Sequence, residues 1–140
     1  MKEPKTFSFF LKVRKYELDS LGHVNNAVYL HYLETAIDEA MSSLGYTVPR
    51  LTELGILILV KELRIEFKHP ALLGDELEVR SYVSEARRVR GTWHQQIINR
   101  KTGKILVEAY NTGVFLDLQG KPTKIPQEIV EALLPYTKQE

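Results

Sequence analysis

The chain has 140 residues, 44% of them hydrophobic and 26% charged, with a formal net charge of +1, a balance that suits one globular domain with a real core. Near-neutrality argues against nucleic-acid binding through bulk positive charge. Cysteine is absent, which excludes disulfides, thiolate metal sites and cysteine nucleophiles, and no segment reaches the roughly 18 apolar residues of a membrane span.

The opening stretch, MKEPKTFSFFLKVRKYE, has no long apolar run and no small-residue cleavage site, so a cytosolic location is expected. Within it Phe7, Phe9, Leu11 and Val13 alternate at strand period. A helical pattern follows: Leu30, Leu33, Ile37, Ala40, Met41 and Leu44 recur at three- and four-residue spacing, and Gly45 stands where a C-cap ends a helix. TVPRLTELG reads as a turn and a short helix. The period then falls to two. Leu57, Leu59, Leu63, Ile65 and Phe67 alternate with polar residues, and Leu77, Val79 and Val83 repeat the pattern. RGTWHQQIINR and KILVEAYNTGVFLD are two further strands joined at KTG, a hairpin signal. KIPQEIVEALLPY is a short helix with Pro126 near its first turn.

No repeat or linker divides the chain, so residues 1–140 read as one domain. Strand, long helix and four strands with hairpin-length links predict an α+β fold with an antiparallel sheet wrapped around one long helix.

The chemistry is more selective. There is no GxSxG elbow, Walker A sequence or GxGxxG, and His23, His31, His69 and His94 show no metal-ligand spacing. Catalysis therefore falls to carboxylates, amides and backbone dipoles. The segment ELDSLGHVNNAVYLHYLE, residues 17–34, gathers the candidates. Asp19 is either a turn or capping aspartate, or a general base or nucleophile beside helix N–H groups that can stabilise an oxyanion. Gly22 serves a tight turn or a close backbone approach to a ligand. Asn25 or Asn26 is an N-cap, and His23 is a turn histidine or a catalyst. Glu34 projects within about 40° of Leu30, inside the apolar stripe, and needs a partner or a cavity. Arg87, Arg88 and Arg90 form either a solvated hairpin or a phosphate site. Trp93 and Tyr82 are sheet-packing residues or pocket lining.

YELDSLGHVNNAVYLHYLE, together with VKELRIEFKHPALLGDELEV and the strands after it, resembles the hot-dog-fold thioesterases of the 4-hydroxybenzoyl-CoA thioesterase-like superfamily, over roughly residues 7 to 127. The LDxxxHVNNxxY form is also similar to plant acyl-carrier-protein thioesterases and their single-domain relatives. The resemblance implies a five- or six-stranded sheet around a helix of about Asn26 to Leu44, and a homodimer with joined sheets and interface active sites, or a tetramer of two dimers. It maps the family's acidic residue onto Asp19, as nucleophile or general base, and the backbone oxyanion donor onto Asn26, with Gly22 as the turn glycine between them. His23 and Asn25 would orient water or Asp19, Glu34 would assist, and Arg87, Arg88 and Arg90 would meet CoA phosphates or a carrier protein. The implied substrate is an acyl-CoA or acyl-carrier-protein thioester, with no separate cofactor or metal, and HVNN leans toward fatty acyl or aliphatic β-ketoacyl groups. The alternatives are a hot-dog hydratase or dehydratase and a non-catalytic acyl-thioester-binding module.

Overall fold

Local signals at both ends delimit the long helix, α1, which runs Asn26–Ser43 in a computed structural model describing residues 3–139. Asn25 is its N-cap: the backbone is extended, and the side-chain oxygen accepts the Ala27 N–H at 2.9 Å. Leu44 is the C-cap, and Gly45 follows with φ of 92°. The Gly45 N–H bonds to the Ser42 carbonyl and the Tyr46 N–H reaches back to the Met41 carbonyl, both at 2.9 Å. These bonds satisfy carbonyls that a helix end otherwise leaves open.

Five strands follow the expected order: β1 (Phe7–Lys12), β2 (Leu57–Phe67), β3 (Glu76–Ala86), β4 (Arg90–Asn99) and β5 (Ile105–Leu116). They form one sheet in the order β1-β3-β4-β5-β2, with every neighbouring pair antiparallel. Two short helices, α2 (Val48–Glu53) and α3 (Gln127–Leu133), complete the chain. Pro126 is the N-cap of α3.

The sheet wraps α1 and makes two core clusters along it. Tyr29, Tyr32, Leu33 and Ala36 pack on Leu77, Val79, Ile97, Val107 and Ala109. Nearer the C-terminus of the helix, Met41 joins Leu51, Ile56, Phe115, Ile125 and Ile129. A polar clamp lies between the clusters: Gln95, fully buried, donates to the Leu33 carbonyl at 2.9 Å and to Ser81 Oγ at 3.1 Å. Its Oε1 has no partner among the described residues, a cost of about 1–3 kcal/mol.

Two expectations are corrected. The buried face of α1 is centred on Tyr29, Tyr32, Leu33, Ala36 and Ala40, whereas Leu30 is 40% exposed and Glu34 is exposed. The tyrosines take the inner face because their hydroxyls find partners there: Tyr29 accepts the Ala71 N–H and Tyr32 donates to Glu17. In β2 the strict alternation breaks at a bulge between Val60 and Glu62. An extra residue reverses which parity faces inward, so Ile58 and Val60 border a cavity, with Leu57 beside them at the strand start, while Leu63 and Ile65 face inward beyond the bulge.

Candidate active site

The segment between Leu18 and Val24, themselves joined by an antiparallel bridge, is a tight loop immediately before α1. The Asp19 N–H bonds to the His23 carbonyl at 2.7 Å, and the Gly22 N–H bonds to the Asp19 carbonyl at 3.1 Å. Gly22 has φ of 80°, a conformation that costs a residue with a Cβ. Asp19 Oδ1 accepts the N–H groups of Leu21 at 2.9 Å and His23 at 3.1 Å. The turn role is thus real, and it uses one oxygen: Oδ2 has no partner among the described residues.

Two further ties hold the loop. The Val24 N–H bonds to the Ala71 carbonyl at 3.0 Å, and His23 bridges Leu72. The Asn25 N–H donates to the Glu17 carbonyl at 2.9 Å. Asn25 is spent on capping, so Asn26 becomes the first helical residue, and its N–H has no acceptor among the described residues. An open N–H at the positive end of an 18-residue helix is able to stabilise a developing negative charge. The half-buried Asp19 and the exposed Asn26 thus lie on one continuous loop-to-helix junction. His23 is half-buried in the same loop.

Two supports of this junction were not singled out in the sequence. Glu17 is 4% exposed. Its carboxylate accepts the Arg14 N–H, the Arg14 guanidinium and the Tyr32 hydroxyl, each at 2.8 Å. Burial pushes the Glu17 pKa up, but these hydrogen bonds and the Arg14 charge outweigh it, and the net shift is down. Burial pushes the Tyr29 hydroxyl pKa up, the bond from Ala71 opposes it, and the nearby Asp19 and Asp75 charges raise it further. The Arg14–Glu17 spacing of three was the only sequence signal for the first support.

Glu34, placed by the helical pattern in the apolar stripe, lies on the rim of a cavity of 1040 Å³ between the C-terminal half of α1 and the far end of the sheet. Ile37, Met41, Leu51, Trp93, Phe115 and Ile125 supply much of its apolar lining. Tyr82 instead packs beside His94, at 4.8 Å between ring centroids. Arg87 pairs with Glu85 at 2.7 Å, and Arg88 and Arg90 are exposed. The arginines follow the end of the eleven-residue β3, whereas the Asp19 loop is bridged to Leu72 before β3 begins. The separation is on the order of 30 Å at about 3.3 Å per residue, so a single chain does not bring them together.

An antiparallel sheet wrapped around a helix whose N-terminus carries an acidic loop defines a hot-dog-fold domain. The chain belongs to the thioesterase-like superfamily, whose family model matches residues 13–133. It is 35% identical over 119 residues to the acyl-acyl carrier protein thioesterase ATL2, chloroplastic, of Arabidopsis thaliana, covering 85% of this chain and 63% of the relative's length. It is 32% identical over 109 residues to the long-chain acyl-CoA thioesterase FadM of Escherichia coli, covering 78% of this chain and 82% of FadM. In fold it is similar to the crystal structure of a 1,4-dihydroxy-2-naphthoyl-CoA thioesterase from Synechocystis, with a TM-score of 0.86, 23% identity, and coverage of 93% of this chain and 96% of that one.

Proposed function

We propose that this chain hydrolyses acyl thioesters of CoA or an acyl carrier protein to a free acid and a thiol. The observation that carries the reading is the junction itself: Asp19 with one uncommitted carboxylate oxygen, and on the same loop-to-helix turn the open Asn26 N–H at the start of α1. In this reading the thioester carbonyl points at the Asn26 N–H, where the helix end stabilises the tetrahedral oxyanion. Asp19 either takes a proton from the attacking water, or attacks the carbonyl to form an anhydride that water then opens. In both routes the C–S bond breaks and its electron pair leaves with the thiolate, which takes up a proton. His23 orients the water, Asn25 and Gly22 set the loop, and Glu34 contributes from the cavity rim. No metal or separate cofactor enters the scheme.

The acyl chain occupies the apolar cavity beside α1. Because one chain holds Arg87, Arg88 and Arg90 far from its own Asp19, we assign them to the CoA phosphates or carrier protein at a partner subunit's site. That assignment requires a homodimer, or a tetramer of two dimers. Support comes from β2, a sheet edge on which Leu57, Ile58, Leu59 and Val60 are 41–57% exposed. An apolar edge strand of this kind invites strand pairing with a second copy.

Asp19→Asn tests the reading, because the amide oxygen still accepts the Leu21 and His23 N–H groups and the turn survives. We expect kcat to fall by about 10²–10⁴ with the melting temperature retained. An unchanged kcat removes Asp19 from catalysis. Single turnover in oxygen-18 water detects the anhydride route in which water attacks the Asp19 carbonyl, the one path that leaves label in the Asp19 carboxylate.

A further inference from the structure

One side chain in the cavity is out of place. Asn111 lines the chamber and is 8% exposed, yet its amide has no hydrogen-bond partner among the described residues. Buried side-chain amides are normally hydrogen-bonded, and the Asn111 amide instead opens onto the cavity. Asn111 sits on β5 opposite Trp93 of β4, and its neighbours on the same face of its own strand are Ala109 and Gly113. Gly113 is packed under Ile58, whose Cγ2 a Cβ there would meet at 3.1 Å, but on its strand partner Gly91 a Cβ would meet nothing closer than the Glu85 carbonyl at 3.8 Å. The volume of 1040 Å³ is at the upper end of the roughly 300–1,000 Å³ usual for a small-molecule pocket. An amide both donates and accepts, so its natural partner in such a chamber is a hydroxyl or keto oxygen.

We infer that Asn111 is a specificity-determining residue that hydrogen-bonds an oxygen substituent carried well down an acyl chain. The inference rests on the placement of the acyl chain in this cavity, proposed above. Distance sets the position of the substituent. Gln95 meets α1 at Leu33, about 10 Å along the helix from Asn26 at 1.5 Å per residue. Asn111 lies two residues beyond Ala109, the partner of Gln95, about 7 Å further along the sheet. The two spans together take up most of the length of an extended sixteen-carbon chain, so the oxygen that Asn111 meets is in its distal part and not on the carbons next to the thioester. The substrate class is a hydroxyacyl or oxoacyl thioester substituted in the distal part of the chain.

Trp93 provides a readout independent of turnover, because it is the only tryptophan in the chain and faces Asn111 across the strand pair. Its fluorescence is titrated with palmitic acid and with the same chain bearing a hydroxyl or a keto group in its distal third. The titrations use the full chain, Asn111→Leu, and Asn111→Thr as a strand-compatible second variant. The wild type is expected to bind one or both oxygenated acids about tenfold more tightly than the plain chain, and Asn111→Leu to abolish the difference. The hydroxyl and keto arms identify which group is read. Equal affinity for plain and oxygenated chains, or a preference that survives in both variants, overturns the inference. Release of thiol from the matching CoA esters is measured alongside. Absence of hydrolysis with the binding preference intact refutes the thioesterase reading alone, and hydrolysis without any preference refutes the role of Asn111 alone.

Discussion

Replacing Glu17 by glutamine probes the brace under the proposed catalytic loop. Glu17 Oε1 accepts both the Arg14 N–H and the Tyr32 hydroxyl, while Oε2 takes the Arg14 guanidinium. The glutamine retains the first two bonds as neutral ones and sets an NH2 against the guanidinium. Hydrogen bonds to a charged group are worth about 1.5–3 kcal/mol and neutral ones about 0.5–1.5, so each retained bond weakens by about 1 kcal/mol. The Arg14 side chain is 57% exposed and recovers water, so the lost ion pair adds at most about 1 kcal/mol. The total is about 2–3 kcal/mol, or a fall in melting temperature of roughly 6–12 °C for a domain of this size. The pH dependence follows from sign. The Glu17 pKa is depressed in the folded state, so its stabilisation is full above the ordinary glutamate value of about 4.3 and is lost as pH falls through the folded value. Urea unfolding of both proteins at neutral pH and at stepwise lower pH should show a gap that closes toward acid. A gap independent of pH, or none at neutral pH, refutes this account of the brace.

Gly45→Ala forces a side chain onto a residue with φ of 92° and should cost about 1–2 kcal/mol, measured by thermal or urea unfolding. Leu59→Lys places a charge on the 57% exposed edge position of β2, and sedimentation should show loss of the proposed dimer. An unchanged assembly moves the interface elsewhere. Arg88→Ala should raise KM for CoA or carrier-protein thioesters with kcat retained. Equal KM values for both substrates before and after the change remove Arg88 from binding.

Much of the fold was legible because its signals are local. The Asn25 cap and the Gly45 turn act within a few residues of the helix ends they define, so α1 was read to within one residue. The KTG hairpin and the period-two strands were visible for the same reason. Within the site, the spacing of Asp19, Gly22 and the asparagines predicted a loop leading into a helix, and the loop's hydrogen bonds bear out the turn role of Asp19. Its catalytic role came from the family resemblance and is a proposal, because a capping aspartate and a catalytic one look alike in one sequence.

The amino-acid sequence by itself determined the element order, the ends of α1 and the loop that presents Asp19, since hydrogen bonds between near neighbours decide all of them. Tertiary structure alone decided which face of α1 is buried, because Tyr29 and Tyr32 needed distant partners at Ala71 and Glu17. It also turned Glu34 outward onto the cavity rim, broke the β2 pattern at a bulge, and separated the arginines from Asp19 by the length of β3. It left the Asn111 amide, like Gln95 Oε1, without a partner among the described residues. Burial and satisfaction are properties of strand pairing across tens of residues, and no short window of sequence contains them.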